Sequence, residues 1–461
     1  MNSCSSVISS FRDNVPNNYL ETLVLARANK DVDWKKALDY YLYAHSMESD
    51  QPEPLLEIAE YYRCTSKNEL SNIFARMAFL LISPNTPKDI KYRIYFEISI
   101  SSYYIDRKEE GLEACDQLLL NKNVPDIFKS QAEKNQIYYI TPIEFYEEKL
   151  VEFETPEIED CDPRYNHQLY RRSNPCIAKT KDGYVSLVRA VNFLNNETHY
   201  VLFSKYQIMR SRTHIIFMDK NLNTTSFHET KEIIPRYKYS TKNEGLEDCR
   251  ICREEDKENS PWYFMTTTTD TNERNISKVM LGRFKNEQGD IDKLILLKGP
   301  NPDRPEKNWM PFFHQGMLCM IYSYDPFIVY MPRIETGDCE MLCNYTSLID
   351  MKRFKGSAPP IKYELDGKKG YLFITHEVTI YNKYHYFNRF LWMTDIFEVT
   401  KISKPFYFKQ KGYEFCGGMC NSHDEDCVLI SSGIQDKDAS IFKVKNEIVR
   451  SMLRDVLEYK D

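Results

Sequence analysis

The chain has 461 residues, enough for two or three domains. With 61 Lys and Arg against 68 Asp and Glu its net charge is −7, which excludes the basic face that duplex binding needs. Hydrophobic residues at 42% exclude a disordered chain, and only 15 glycines, with no Walker loop and no G-x-G-x-x-G run, argue against a Gly-rich phosphate cradle.

The start, Met1-Asn2-Ser3-Cys4, lacks a basic region followed by an apolar stretch, so no signal peptide is expected. No run approaches the ~18 apolar residues of a membrane span. Thirteen cysteines are an odd number without a stapled spacing, which fits reduced thiols in a cytoplasmic compartment. The sequons Asn196-Glu197-Thr198 and Asn344-Tyr345-Thr346 would then go unused. Cys249-x-x-Cys252, Cys339-x3-Cys343 and Cys416-x3-Cys420 lie far apart and read as core or edge thiols. Neither a metal nor a cofactor is expected.

From Tyr19 to Tyr139 the pattern is helical. Trp34, Leu38, Tyr41, Leu42 and His45 recur every three or four residues, with Asp33 where an N-cap belongs. Further helices are predicted around Leu55–Tyr62, and over Leu70–Leu81, Tyr92–Tyr104, Glu109–Leu119 and Ile127–Tyr139. Ala37/Tyr41, Ala75/Phe79 and Ala114/Leu118 recur at a spacing of about 34–40 residues, as in stacked helical hairpins. Residues 1–140 therefore read as a tetratricopeptide-like solenoid, a surface on which a protein partner could dock. Trp34-Lys35-Lys36-Ala37-Leu38-Asp39-Tyr40-Tyr41, Glu53-Pro54-Leu55-Leu56 and Asn135-Gln136-Ile137-Tyr138-Tyr139 resemble the helical tails of some bacterial and giant-virus glycosyltransferases.

Residues 141–172, rich in glutamate, read as an acidic linker. Beyond them the period falls to two. Short strands are predicted at Tyr184–Val191, Tyr200–Phe203, His214–Met218, Trp262–Thr267, Lys278–Phe284, Leu318–Tyr322, Tyr371–Ile380 and Cys427–Ser431, with no helix between them. Residues 173–446 are too many for one sandwich and fit five four-stranded blades of an all-β propeller. Ile448, Met452 and Val456 form one stripe, so 447–461 returns to helix.

Polar clusters interrupt these strands about one blade apart: Glu247-Asp248-Cys249-Arg250, Glu306-Lys307-Asn308-Trp309, Lys355-Gly356-Ser357 leading into His376-Glu377, Glu414-Phe415-Cys416, and Gly433-Ile434-Gln435-Asp436. Corresponding strands of successive blades converge on the central channel, so these breaks read as one site. Plain structural roles are also open: Trp309 packing between blades, and His376 as a satisfied strand histidine; Tyr384-His385-Tyr386-Phe387-Asn388-Arg389 reads as a strand near the site rim, with Arg389 structural.

The order Asn174-Pro175, Arg189-Ala190, Glu247-Asp248-x-Arg250, Lys307-Asn308-Trp309-x-Pro311-Phe312, Gly356-Ser357-x-x-Pro360, His376, Asp436 resembles glycoside hydrolase family 130, the β-mannoside phosphorylases and their hydrolase and β-mannosyltransferase relatives. The resemblance implies Asp248 as general acid, acting directly or through a sugar hydroxyl. It implies Lys307 and His376 as the phosphate site, with Arg250 or Arg283 as a third cation. Arg189 and Asp436 match sugar contacts; Glu247, Asn308, Trp309 and Glu414 are further substrate-binding candidates. Two departures stand out. Cys249 replaces the family's proline, and Ile321-Tyr322-Ser323-Tyr324-Asp325 stands where the family carries an arginine.

Cations suit a phosphate-bearing species, and a carboxylate suits a developing oxocarbenium ion. The expectation is an inverting enzyme transferring a mannose-like unit to or from phosphate, a sugar-1-phosphate or a nucleotide sugar. Its rivals are an inverting hydrolase, which needs a second carboxylate (Glu247, Glu377 or Glu414) as base, and a non-catalytic glycan-binding scaffold.

Overall fold

The computed structural model describes residues 16, 18–196, 199–254, 257, 260–423 and 426–460. The segment Met1–Cys4 and two residues of the sequon at Asn196 lie outside them. The chain divides after Ile140 into a helical unit and a β unit.

Among the described residues the helical unit holds seven α-helices, from Tyr19–Asn29 to Asp126–Tyr139. Asp33 caps Trp34–Met47 by accepting from the Lys36 amide at 3.1 Å. The buried stripe of that helix is Ala37, Tyr41 and Ala44, whereas Leu42, expected on the same face, is exposed. Small residues govern the packing here. Alanines at 37, 44, 59, 75, 78 and 114 are all buried, which lets neighbouring helices approach closely. Arg27–Glu57, Arg93–Glu60 and Arg63–Glu97 join helices at comparable intervals along the chain.

The β unit is a five-bladed propeller. Blade 1 is Arg171–Lys179, Tyr184–Val191, Met209–Met218 and Thr224–Glu229. Blade 2 runs from Glu247–Cys252 outward to Asp290–Leu296, and blade 3 from Met310–His314 to Cys339–Tyr345. Blade 4 is built on the long hairpin Lys368–Tyr381 and Lys383–Thr394, with Lys355–Gly356 on its inner side. Blade 5 is Glu414–Asn421, Cys427–Ile434 and Asp438–Lys445.

Two segments differ from the sequence expectation. The acidic stretch 141–172 is no mere linker, because Glu147–Leu150 pairs antiparallel with Asp438–Lys445 and supplies the outer strand of blade 5. The tail is helical only over Asn446–Met452. Leu453–Asp455 then pairs with Val399–Ser403 at the edge of blade 4, before a last short turn of 3-10 helix. Unpaired strand edges cost exposed backbone donors and acceptors, and both segments remove one.

The apolar core lies between adjacent blades. Leu372, Phe390 and Trp392 of blade 4 meet Val428, Ile430 and Phe442 of blade 5, and comparable clusters fill the next three gaps around the ring. Middle strands are therefore covered on both faces; Cys427–Ile434 is buried at every position. The twelve described cysteines are free thiols, seven of them buried between or within the blades. No helix among the described residues is long and apolar enough to cross a membrane.

Closure of the ring gives a first test. Phe145, next to the closing strand, meets Phe442 edge-on at 4.9 Å between ring centroids. A double-mutant cycle of Phe145→Ala and Phe442→Ala in urea unfolding is expected to return a coupling of about 1 kcal/mol, the usual range for such aromatic pairs. A coupling of zero would remove the closing role of this segment.

Candidate active site

The innermost strands open onto the channel in the same way in three blades. Asn174 and Asp248 lie within the first four residues of their strands and Asn308 two residues before its own, and all three have positive φ, at 44°, 50° and 63°. Asn and Asp tolerate this left-handed backbone better than other side chains do. In blades 1 and 2 a register shift follows at once, between Ser173 and Cys176 and between Glu247 and Arg250. Such bulges turn a side chain out of the sheet plane. Here the side chains turn into a cavity of about 370 Å³.

Asp248 lines this cavity. Its Oδ1 accepts from Asn174 Nδ2 at 2.8 Å and from Arg189 Nη1 at 3.3 Å. Burial disfavours its charge, but Arg189, the Asn174 amide, Arg250 and Lys307 outweigh that and hold the carboxyl below the ordinary aspartate range. Asp248 is a carboxylate at neutral pH. Asn174 is itself wedged in place: a Cβ on Gly433 would sit 2.1 Å from its Oδ1, so only glycine fits there.

Asp436 lines the same cavity with the opposite tendency. Burial raises its pKa against the Asn195 hydrogen bond (3.1 Å) and Arg189, and the Asp248 charge adds to the rise. Glu247 faces the cavity between two cations, Lys307 Nζ at 3.2 Å and Arg189 Nη2 at 3.9 Å.

Lys307 and Lys355 both line the cavity. Lys355, which the sequence places in a polar cluster without a role of its own, makes no ion pair among the described residues. Asn308 lines it too, its Oδ1 accepting from Arg250 Nη2 at 3.1 Å. His376 is brought to the cavity as expected, but as a neutral ring. Burial pushes its pKa down to about 3, with Lys355 and Arg250 adding to the effect, and Nδ1 pairs with Ser357 Oγ at 2.9 Å. It can offer a ring N–H but no charge to an anion.

Five other sequence candidates have their side chains committed elsewhere. Arg250 is buried on backbone carbonyls: Nε to Ser357 O at 2.8 Å, Nη1 to Asp248 O at 3.2 Å and Nη2 to Gly356 O at 3.2 Å. Arg283 pairs with Asp292 toward the outer side of blade 2. Trp309 belongs to the core between blades 2 and 3, with Nε1 donating to Glu306 at 3.3 Å. Glu414 borders the cavity, yet its carboxylate accepts the amides of Phe408, Lys409 and Gln410. Glu377 is held between Arg389 and Arg353, which removes it as a base and gives Arg389 its structural role.

Missing from the candidate site residues are Tyr200, Tyr386 and Tyr413, which line the cavity, and Asn195, which holds Asp436; the sequence places Tyr386 only on a strand near the site rim. Asn195 and Tyr200 come from a small hairpin (Phe193–Asn195 with Tyr200–Leu202) that leaves blade 1 before its third strand. Its shortness and its neighbouring Asn-Asn-Glu run were the only sequence signal. Among the described residues no cluster of His, Cys, Asp and Glu could hold a metal.

No protein-family model matches the sequence, and no curated protein matches it. Solved structures are similar at low identity. A β-1,2-mannobiose phosphorylase from Listeria innocua is 13% identical, covering 65% of this chain and 94% of that one, with a TM-score of 0.44. A mannose phosphorylase from Leishmania mexicana, solved with phosphate, is 12% identical over 72% of this chain and 97% of that one (TM-score 0.42). A GDP-mannose-dependent mannosyltransferase from Leishmania mexicana is also 12% identical, over 68% and 93% (TM-score 0.40).

The ionised state of Asp248 is measurable. A carboxyl with a lowered folded-state pKa stabilises the fold above the unfolded value of ~3.9, and that contribution is lost as pH falls through the folded value. Asn also tolerates the left-handed backbone at this position. Urea unfolding from pH 6 to pH 3 is therefore expected to show the gap between wild type and Asp248→Asn narrowing with acid. A gap that widens would mean Asp248 is protonated in the fold.

Proposed function

We propose that the cavity is the active site of an inverting enzyme that transfers a mannose-like glycosyl unit between a phosphate-bearing species and an acceptor hydroxyl. The observation that carries this reading is the pairing of one carboxylate, Asp248, with the ammonium groups of Lys307 and Lys355 in a single channel cavity. Neutral hydrogen-bonding side chains (Asn174, Asn308, His376) line the same cavity, which suits a sugar's hydroxyls.

In transfer from a glycosyl phosphate, the acceptor oxygen attacks the anomeric carbon on the face opposite the phosphate. The bond from that carbon to the phosphate oxygen breaks, and phosphate departs with the electron pair toward Lys307 and Lys355. Charge on the leaving oxygens is stabilised by these cations as it grows. The acceptor's proton passes to Asp248, which is already ionised and so is poised as a base. In phosphorolysis the same atoms move in reverse. Phosphate attacks, the glycosidic bond breaks, and a protonated Asp248 donates to the departing oxygen. The cycle closes when the proton taken by Asp248 in synthesis passes to the released phosphate, and phosphorolysis draws the same proton back, so one carboxyl serves both directions. The resemblance to family 130 and the mannoside-acting neighbours favour mannose as the transferred sugar.

The test is transfer from mannose-1-phosphate to mannose or mannobiose, followed as phosphate release. Asp248→Asn is expected to lower kcat by about 10²- to 10⁴-fold, the usual worth of general acid–base catalysis. Lys355→Ala is expected to raise KM for the glycosyl phosphate by about 10- to 100-fold, as for a lost charge-assisted hydrogen bond. Release of free mannose from mannosides at a rate indifferent to phosphate would overturn the reading in favour of hydrolysis, with Glu247 as the base. Sugar binding without turnover, unchanged in Asp248→Asn, would leave a glycan-binding scaffold.

A further inference from the structure

A row of aromatic rings leads out of the cavity. His376 stacks on Tyr386, with centroids 5.3 Å and planes 23° apart. Tyr386 meets Tyr413 at 5.5 Å, and Tyr413 meets Tyr384 at 5.6 Å. His376, Tyr386 and Tyr413 line the cavity, whereas Tyr384 lies outside it with 44% of its surface exposed.

The row is fixed by backbone. Tyr386 N–H donates to Gly412 O at 2.9 Å, and Gln435 N–H donates to Tyr413 O at 2.6 Å. The blade 4 hairpin, the segment before blade 5 and the turn that carries Asp436 are thus joined beside the cavity. Cross-strand packing accounts for Tyr384 only in part. Its register partner is Ile380, but its ring is turned toward Tyr413, which belongs to another segment of the ring of blades.

Tyrosine offers a flat apolar face with a polar edge, and two side-chain angles cost little entropy to fix. A pyranose has the same duality, with C–H bonds on its faces and hydroxyls around its rim. The rings continue past the space in which one sugar would react, so they offer faces to sugars further along a chain.

We propose that Tyr384, Tyr386 and Tyr413 form an extended acceptor subsite for an oligosaccharide of neutral hexopyranoses, whose end unit reacts beside Asp248. This rests on the glycosyl-transfer reading of the cavity. Tyr386 and Tyr413 hold the sugar next to the reacting unit, and Tyr384 holds one further out.

The test compares mannose and β-linked mannotetraose as acceptors of mannose-1-phosphate, together with calorimetric binding of mannotetraose in the absence of donor. The wild type is expected to prefer mannotetraose through a lower KM. Tyr384→Ala is expected to reduce the mannotetraose-to-mannose ratio of kcat/KM about tenfold, an effect of the size expected for one aromatic contact, and Tyr384→Phe to restore it. An unchanged ratio with turnover intact overturns the subsite and leaves the transfer reading standing. Should mannose-1-phosphate donate to no acceptor, the transfer reading falls and calorimetry decides the subsite: weaker mannotetraose binding by Tyr384→Ala supports it, and equal binding overturns it.

Discussion

Arg250 ties together the blades that build the cavity. Its guanidinium leaves blade 2 and donates to the Gly356 and Ser357 carbonyls of blade 4 and to the Asn308 side chain at the start of blade 3, while its Cζ lies over the Phe415 ring of blade 5, 5.2 Å from the centroid. A further bond returns to the Asp248 carbonyl and holds the left-handed turn that aims its carboxylate. A buried cation is costly unless its donors are satisfied, and here carbonyls converging from distant parts of the chain satisfy them. Ser357, held in this way, fixes the imidazole of His376. One buried arginine therefore orders the acid, the amide and the imidazole together.

The second organising element is the difference between two carboxylates in one cavity. Asp248 is surrounded by cations and donors and is held ionised; Asp436, also desolvated, has fewer cations to offset burial and feels the Asp248 charge, and is pushed the other way. Groups of one chemical type acquire separate behaviour from their surroundings, which is how a site divides proton-handling from hydroxyl-binding. Arg189 faces both, and Asn195 fastens Asp436 to the small hairpin of blade 1. Among the described residues Lys355 is the cavity lysine without an ion pair and Lys307 is half-exposed beside Glu247, while the rigid guanidinium of Arg250 is spent on architecture.

Much of this was legible in the amino-acid order. Helical and strand periods separate near residue 140, as the two units do. Short strands without intervening helices fit a propeller, a sandwich or a barrel, and a stretch too long for one sandwich points to five blades. The recurrence of polar residues about once per blade located Asp248, Lys307, Asn308, His376 and Asp436 in one cavity, because strands at equivalent places in a closed ring must converge.

Sequence determined the two kinds of unit, the five-bladed ring and the neighbourhood of its centre; tertiary structure decided which polar side chains face the cavity and which are consumed in holding it. Arg250, Trp309, Glu377 and Glu414 have the residue types of a binding site, yet each is committed to partners inside the protein. The partner of Arg250 lies 107 positions away, beyond any local pattern. Closure of blade 5 by Glu147–Leu150 pairs segments nearly three hundred positions apart, so an acidic stretch that is polar by composition becomes a strand by pairing. Side-chain charge and shape are local properties of a chain. The partner that satisfies them, and so the work left for them to do, is fixed only when the ring closes.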